Sequence, residues 1–146
     1  MFNAVDVASC IFYHYQDVYG KKIDEMKLHK LLYFVQRESF IQTGEPLFSE
    51  KFEAWKFGPV MVKIRRHYKD DDFQENNIYI RIKSIIDTVF ETYSNTGSWS
   101  LSMMSHEEIS WQNARVGIPE GVNGNKTMAN EDIKSDADRV KALRGI

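Results

Sequence analysis

Asp24-Glu25-Met26-Lys27-Leu28-His29-Lys30-Leu31-Leu32-Tyr33-Phe34-Val35, running on to Thr43 with Gly44 behind it, is the stretch that decides the fold of this chain. Leu28, Leu31, Leu32 and Val35 recur at the spacing of one helical face, and Met26, Tyr33, Phe34, Phe40 and Ile41 make a second. Asp24 is a capping residue and Gly44 a helix stop. A helix that is apolar on two sides is normally surrounded by protein, so this segment is expected at the centre of the core.

Upstream, Ala4, Ala8, Ile11, Tyr15 and Val18 lie on one stripe of a first helix, with Asn3 as its cap and Gly20 as its end. Downstream, from Pro46 to Pro59, Phe48, Phe52, Trp55 and Phe57 alternate with short polar residues, which reads as a small β-hairpin near residues 48–57 closed by Gly58-Pro59. Pro59 then suits the first position of a helix from Val60 to about Tyr68, where its missing N–H is not needed. The stripe Ile78, Ile82, Ile85, Ile86, Val89, Phe90 and Tyr93 predicts a further single helix. A short helical piece follows around Leu101 to Met104. Ser105-His106-Glu107-Glu108 matches a capping box and predicts the start of another helix, ending near Gly117. Three glycines and a proline make residues 117–125 a loop, and the charged remainder offers only Ile133, Ala137, Val140 and Leu143 as a weak apolar stripe. The expected class is mainly α: about five to six helices around a central apolar one, with one small hairpin, in a single domain over residues 1–146.

Bulk properties narrow the function. A chain of 146 residues can bury roughly 70% of the surface its unfolded form exposes. Nineteen basic against 21 acidic side chains give a formal charge of -2, so no global field gathers the chain onto nucleic acid or anionic lipid. The longest apolar stretch in helical context, Leu31 to Val35, is far short of the ~20 residues of a membrane span, and no membrane partner is expected. With one cysteine, Cys10, and no leader at the N-terminus, the expected location is the cytoplasm. Without export, the sequon Asn125-Lys126-Thr127 carries no meaning.

The search for chemistry returns little. His14, His29, His67 and His106 lack partners at metal-ligand spacing, so no metal or other cofactor is expected. Cys10 sits beside an apolar stripe, where a thiol behaves as a small hydrophobe. The loop from Gly121 to Thr127 has Asn125 where a phosphate-binding loop needs glycine before its lysine. Asp70, Asp71 and Asp72 lack the alternate spacing of a calcium loop. Glu107 and Glu108 project to different sides of a helix and are read as helix-start electrostatics. Lys63, Arg65, Arg66, His67 and Lys69 form a basic helix suited to an acidic partner; with no docking motif beside it, nucleic acid is not the expected ligand. Aromatic and arginine residues dominate protein interfaces: Trp55, Phe57, Trp99 and Trp111 could anchor a partner, with core burial as the competing explanation for each, and Trp55, Phe57, Arg65, Arg66 and Trp111 are the candidate partner-binding set.

Three segments read together resemble the Panacea domain, also described as the SocA-like antitoxin domain, found in phage-associated proteins of the GepA type. They are Met26 to Gln36, carrying Lys27, Leu28, Lys30, Leu31 and Tyr33; Glu45-Pro46-Leu47-Phe48 followed by Phe52 to Val60, carrying Glu53, Ala54, Trp55, Gly58, Pro59 and Val60; and Leu101-Ser102 through His106 to Trp111 and Ala114-Arg115. The likeness is strongest over residues 3–116. Ser105 and Ser110 stand where the family usually has threonine before the histidine and proline before the tryptophan, and the segment after Gly117 is only loosely similar. No DNA-binding domain precedes the motif, so the self-repression of such fusions is not implied. The resemblance implies an antitoxin that neutralises, by direct contact, a protein toxin encoded by a neighbouring gene; in some members the toxin is delivered to an ATP-dependent protease such as ClpXP, for which the charged tail is the expected tether. It supplies no catalytic residues, and the expected function is not enzymatic. The alternatives are thus a protease adaptor and, further off, a nucleic-acid-binding phage-associated protein.

Overall fold

A computed structural model describes all 146 residues. Seven α-helices and one two-stranded hairpin follow in the order α1 (Ala4–Tyr19), α2 (Glu25–Thr43), β1 (Glu53–Trp55), β2 (Gly58–Val60), α3 (Val62–Asp70), a 3-10 turn (Ile78–Arg81), α4 (Lys83–Tyr93), α5 (Ser98–Ser105), α6 (Ile109–Ala114) and α7 (Asn130–Leu143). The class is mainly α. Helix α2 is its axis: α1, α4, α5 and α7 all pack on it, and Leu28, Leu31, Leu32, Tyr33 and Val35 are fully buried. Asp24 caps it through Lys27 N at 2.8 Å, and Gly44 ends it with φ 77°. The cap and stop of α1, Asn3 and Gly20, are also where the spacing puts them, although Val18 at its end is exposed.

Several boundaries differ from expectation. The hairpin lies over residues 53–60 and not 48–57; its register pairs Glu53 with Val60 and Trp55 with Gly58, and its turn is Lys56-Phe57. Gly58 and Pro59 therefore belong to the second strand. Pro59 is tolerated there because a two-stranded edge does not require its missing N–H, and the next helix starts only at Val62. Phe48, read as strand, and Leu47 before it instead meet the N-terminus: Phe2 N donates to Leu47 O at 3.0 Å, and the Gln36 side chain brackets Leu47 N and Phe48 O, each at 2.8 Å. The isoleucine stripe splits into the 3-10 turn and α4 at Ile82, though Ile78, Ile82, Ile85, Ile86, Val89 and Phe90 all face inward.

The largest departure is at the C-terminal end. The chain returns along β1, with Ala54 N donating to Lys126 O and Met128 N to Phe52 O, both at 2.8 Å. It then enters α7, which packs on α2 and α6 and buries Ile133, Asp136 and Ala137. One cluster of buried residues runs from Ala4 to Ala137. No helix is long and apolar enough to cross a membrane.

Candidate functional site

The hairpin tip, Lys56-Phe57, stands between two hollows. One, of about 260 Å³, lies among α2, α3 and the hairpin and is lined by Glu25, Met26, His29, Lys30, Trp55 and Arg65. The other, of about 520 Å³, is mainly apolar and is bordered by Phe57, Trp99, Met103, His106, Trp111 and Arg115. Phe57 reaches both. Around the second hollow Phe57 is 40%, Met103 50% and Trp99 58% exposed, and the Phe57 and Trp99 rings lie 5.4 Å apart. Contiguous exposed apolar surface of this kind marks an interaction site more often than an accident of composition.

Side chains from three helices, and one from just past the last of them, grip the backbone of this tip. Lys30 on α2 donates to Pro59 O at 3.1 Å, Ser102 on α5 donates to Phe57 O, and Trp111 on α6 donates its Nε1–H to Trp55 O at 2.8 Å. Just beyond α6, Arg115 donates to Ala54 O at 3.1 Å and Val122 O at 2.7 Å, and also to Asn123 O, tying the 117–125 loop to the hairpin. Gly58 has φ 112°, and a Cβ there would lie 2.4 Å from Ser105 Oγ and 2.7 Å from Lys30 Cε, so the strand presses on both. His106 stacks on Trp111 at 4.2 Å and 16°. Burial lowers its pKa, against an opposing hydrogen bond to the Lys56 backbone, with Lys30 and Arg115 adding to the lowering. Its Nε2 has no hydrogen-bond partner.

In the first hollow, His29 accepts the Met61 N–H on Nδ1 at 3.4 Å, which leaves Nε2–H to donate to Glu25 at 3.1 Å. Glu25 also pairs with Arg65 at 3.0 Å. The His29 bond chiefly lowers the Glu25 pKa, against burial, while burial lowers that of His29 and favours the neutral ring. Lys30 is 1% exposed; burial, only partly offset by Glu25 and Asp24, brings its pKa down to about 7.

Behind the site is a buried polar network that composition and periodicity do not announce. Glu108 accepts from Arg37 at 2.6 Å, from Tyr33 at 2.9 Å and from Arg139 at 3.0 Å. Asp136 accepts from Ile109 N at 2.8 Å, Ser110 N at 2.9 Å and Tyr33 at 3.2 Å, so α7 caps α6 from outside. Burial acts to lower the Arg37 pKa, but Glu108 with Tyr93 and Tyr33 outweighs it and the net shift is upward. The capping box is thus not formed: Ser105 ends α5 and bonds Ser102 O, and Glu108 turns inward instead of serving helix-start electrostatics.

Of the candidate partner-binding residues, Trp55, Phe57 and Arg65 meet at the first hollow, with the Arg65 guanidinium 5.6 Å from the Trp55 ring centre. Trp111 lies in the second, half-buried, and Arg66 is on the outer side of α3 apart from both hollows. Trp99, an aromatic anchor left out of that set, and Met103 are the most open apolar side chains here; both lie on α5 away from its buried Leu101, Ser102 and Ser105. Of the motif residues, Lys27, Leu28, Lys30, Leu31 and Tyr33 are interior. The two lysines reach carbonyl oxygens, Lys27 that of Ser94 at 2.9 Å.

Arrangement and chemistry describe a mainly helical domain with an exposed apolar face bordered by cations. The family model for "Antitoxin SocA-like, Panacea domain" matches residues 28–112, more than half of the chain, and the protein belongs to that family. A curated relative, "Antitoxin SocA" of Caulobacter vibrioides (strain NA1000 / CB15N), is 50% identical over 38 residues, which are 26% of this chain and 20% of that protein. The similarity thus spans about a fifth of that relative's length. No solved structure matches the chain significantly.

Proposed function

We propose that this protein is an antitoxin whose residues 1–146 act as one domain that occludes a protein toxin, encoded by a neighbouring gene, with the face around the hairpin tip. The observation that carries the reading is the exposed cluster Phe57, Trp99 and Met103 on the edge of the larger hollow, in a chain of an antitoxin family. Three helices and Arg115 hold the backbone of that tip, so little conformational freedom is lost on docking. Trp55, Arg65, Arg66 and Trp111 extend the contact on either side. Occlusion needs no catalytic group.

The test is co-expression with the adjacent reading frame, read as rescue of growth and as co-purification. Phe57→Ala with Trp99→Ala should weaken the complex by about 2 kcal/mol or more while leaving the melting temperature unchanged. A complex of unaltered affinity would move the interface elsewhere, and no complex with any neighbour's product would end the reading. The adaptor reading has less support, because residues 130–143, its intended tether, are a packed helix. Nucleic-acid binding is weakened in a similar way. On α3, Lys63 pairs with Glu50, Arg65 with Glu25 and His67 with Asp72, which leaves Arg66 and Lys69 as its cations without an ion pair.

A further inference from the structure

We propose that the hollow among α2, α3 and the hairpin is a carboxylate-binding site, filled in the complex by one aspartate or glutamate side chain of the partner. The choice of occupant rests on the antitoxin reading; the site itself rests on the geometry of Lys30. Its ammonium carries three N–H donors but meets one acceptor, Pro59 O at 3.1 Å, and no carboxylate lies within ion-pair distance. A cation buried to this degree with one neutral partner is uncompensated, and a carboxylate arriving through the hollow would complete its shell.

The walls fit such a group. Glu25, the acidic residue nearest by, already accepts from His29 and Arg65 with the same oxygen, and His29 is held neutral. With the Lys30 amine protonated, Lys30 and Arg65 therefore exceed Glu25 by one positive charge. Arg65, with 41% of its side chain exposed, stands at the rim, while Trp55, Met26 and Val60 supply apolar contact for the methylenes below a carboxylate. Arg66 and Lys69 continue the positive border outward on α3, so the field at the mouth favours an acidic visitor. Bound carboxylate would also stabilise the charged form of the lysine. The charged groups that act on Lys30 are Glu25 at the start of α2 and Asp24, its cap; Lys30 in turn acts on His29 of α2, which also feels Arg65 of α3, and on His106 at the end of α5.

Propionate, the side-chain analogue of glutamate, is the probe. In protein carrying 13C-labelled lysine, the Lys30 Cε resonance is titrated with pH, with and without saturating propionate. Its midpoint should rise by about one pH unit, a tenfold preference of propionate for the charged amine. The exposed Lys69 should not move, uncharged propionamide should have no effect, and Trp55 indole shifts caused by propionate should vanish in Lys30→Met. An unchanged midpoint, an equal response to propionamide, or Trp55 shifts that survive Lys30→Met would each overturn the site. A larger rise with inorganic phosphate than with propionate would overturn the carboxylate assignment. These measurements use the isolated chain: a protein that takes propionate but binds no toxin loses the antitoxin reading alone, and one that binds toxin but ignores propionate loses only this site.

Discussion

Glu108→Ala tests the polar network on which the face is mounted. The carboxylate is buried and is the ionic partner of Arg37, which is 5% exposed, at 2.6 Å. Removing it leaves the guanidinium in the core with Tyr93 as its hydrogen-bond acceptor, and Arg37 Nε already has none. Stranding a buried charge costs about 3–5 kcal/mol. Tyr33 keeps Ser110 and Asp136, and Arg139, half exposed, adds little. Since a domain of this size has only about 5–15 kcal/mol in all, the variant should stay folded but with much of its stability gone. Urea denaturation followed by circular dichroism should show a midpoint lower by about 2 M, taking a slope of roughly 2 kcal/mol/M. Arg37→Met combined with Glu108→Leu should recover most of the loss, because neither charge is then buried alone. A fall of less than about 1 kcal/mol in Glu108→Ala, or a double variant as unstable as the single, would refute the account.

The Lys30 amine has a folded pKa of about 7 against an ordinary 10.5, so the unfolded chain binds more protons between those values and stability gains with rising pH in that window. From pH 7 to 9 the wild type should gain roughly 2 kcal/mol on Lys30→Met, and parallel curves would show that the amine is not depressed. Gly58→Ala combines φ 112° with a Cβ 2.4 Å from Ser105 Oγ and should cost about 2 kcal/mol or more; an unchanged melting temperature would mean that the strand can shift. Ending the chain at Gly124 removes Asp136 from Ile109, Ser110 and Tyr33 and exposes the surface under Ile133 and Ala137. Thermal unfolding should then lose its cooperativity, and a sharp transition within a few degrees of the full chain would show α7 to be dispensable.

What could be read in the sequence was what depends on near neighbours. The caps Asn3 and Asp24 reach donors three residues on, Gly20 and Gly44 supply the left-handed turn at each helix end, and the two-sided apolar pattern of α2 requires only that the helix be surrounded. These signals complete themselves within a few turns of chain, and they located both long N-terminal helices and the core axis. The Gly58-Pro59 pair and the Ser105 to Glu108 box carry equally good local signals, and both were overruled. Strand pairing took Pro59, and Arg37, 71 residues away, took Glu108. The same limit hid α7: its apolar stripe is weak, but Asp136 caps α6 and meets Tyr33 at a separation of 103 residues. Residues 28–112 alone identified the family. Only the folded chain decided that Lys30 is an interior amine, that Arg66 stands apart from Trp55 and Phe57, and that Trp99 and Met103 face outward, because burial is set by which distant surfaces meet and a linear pattern does not contain that information.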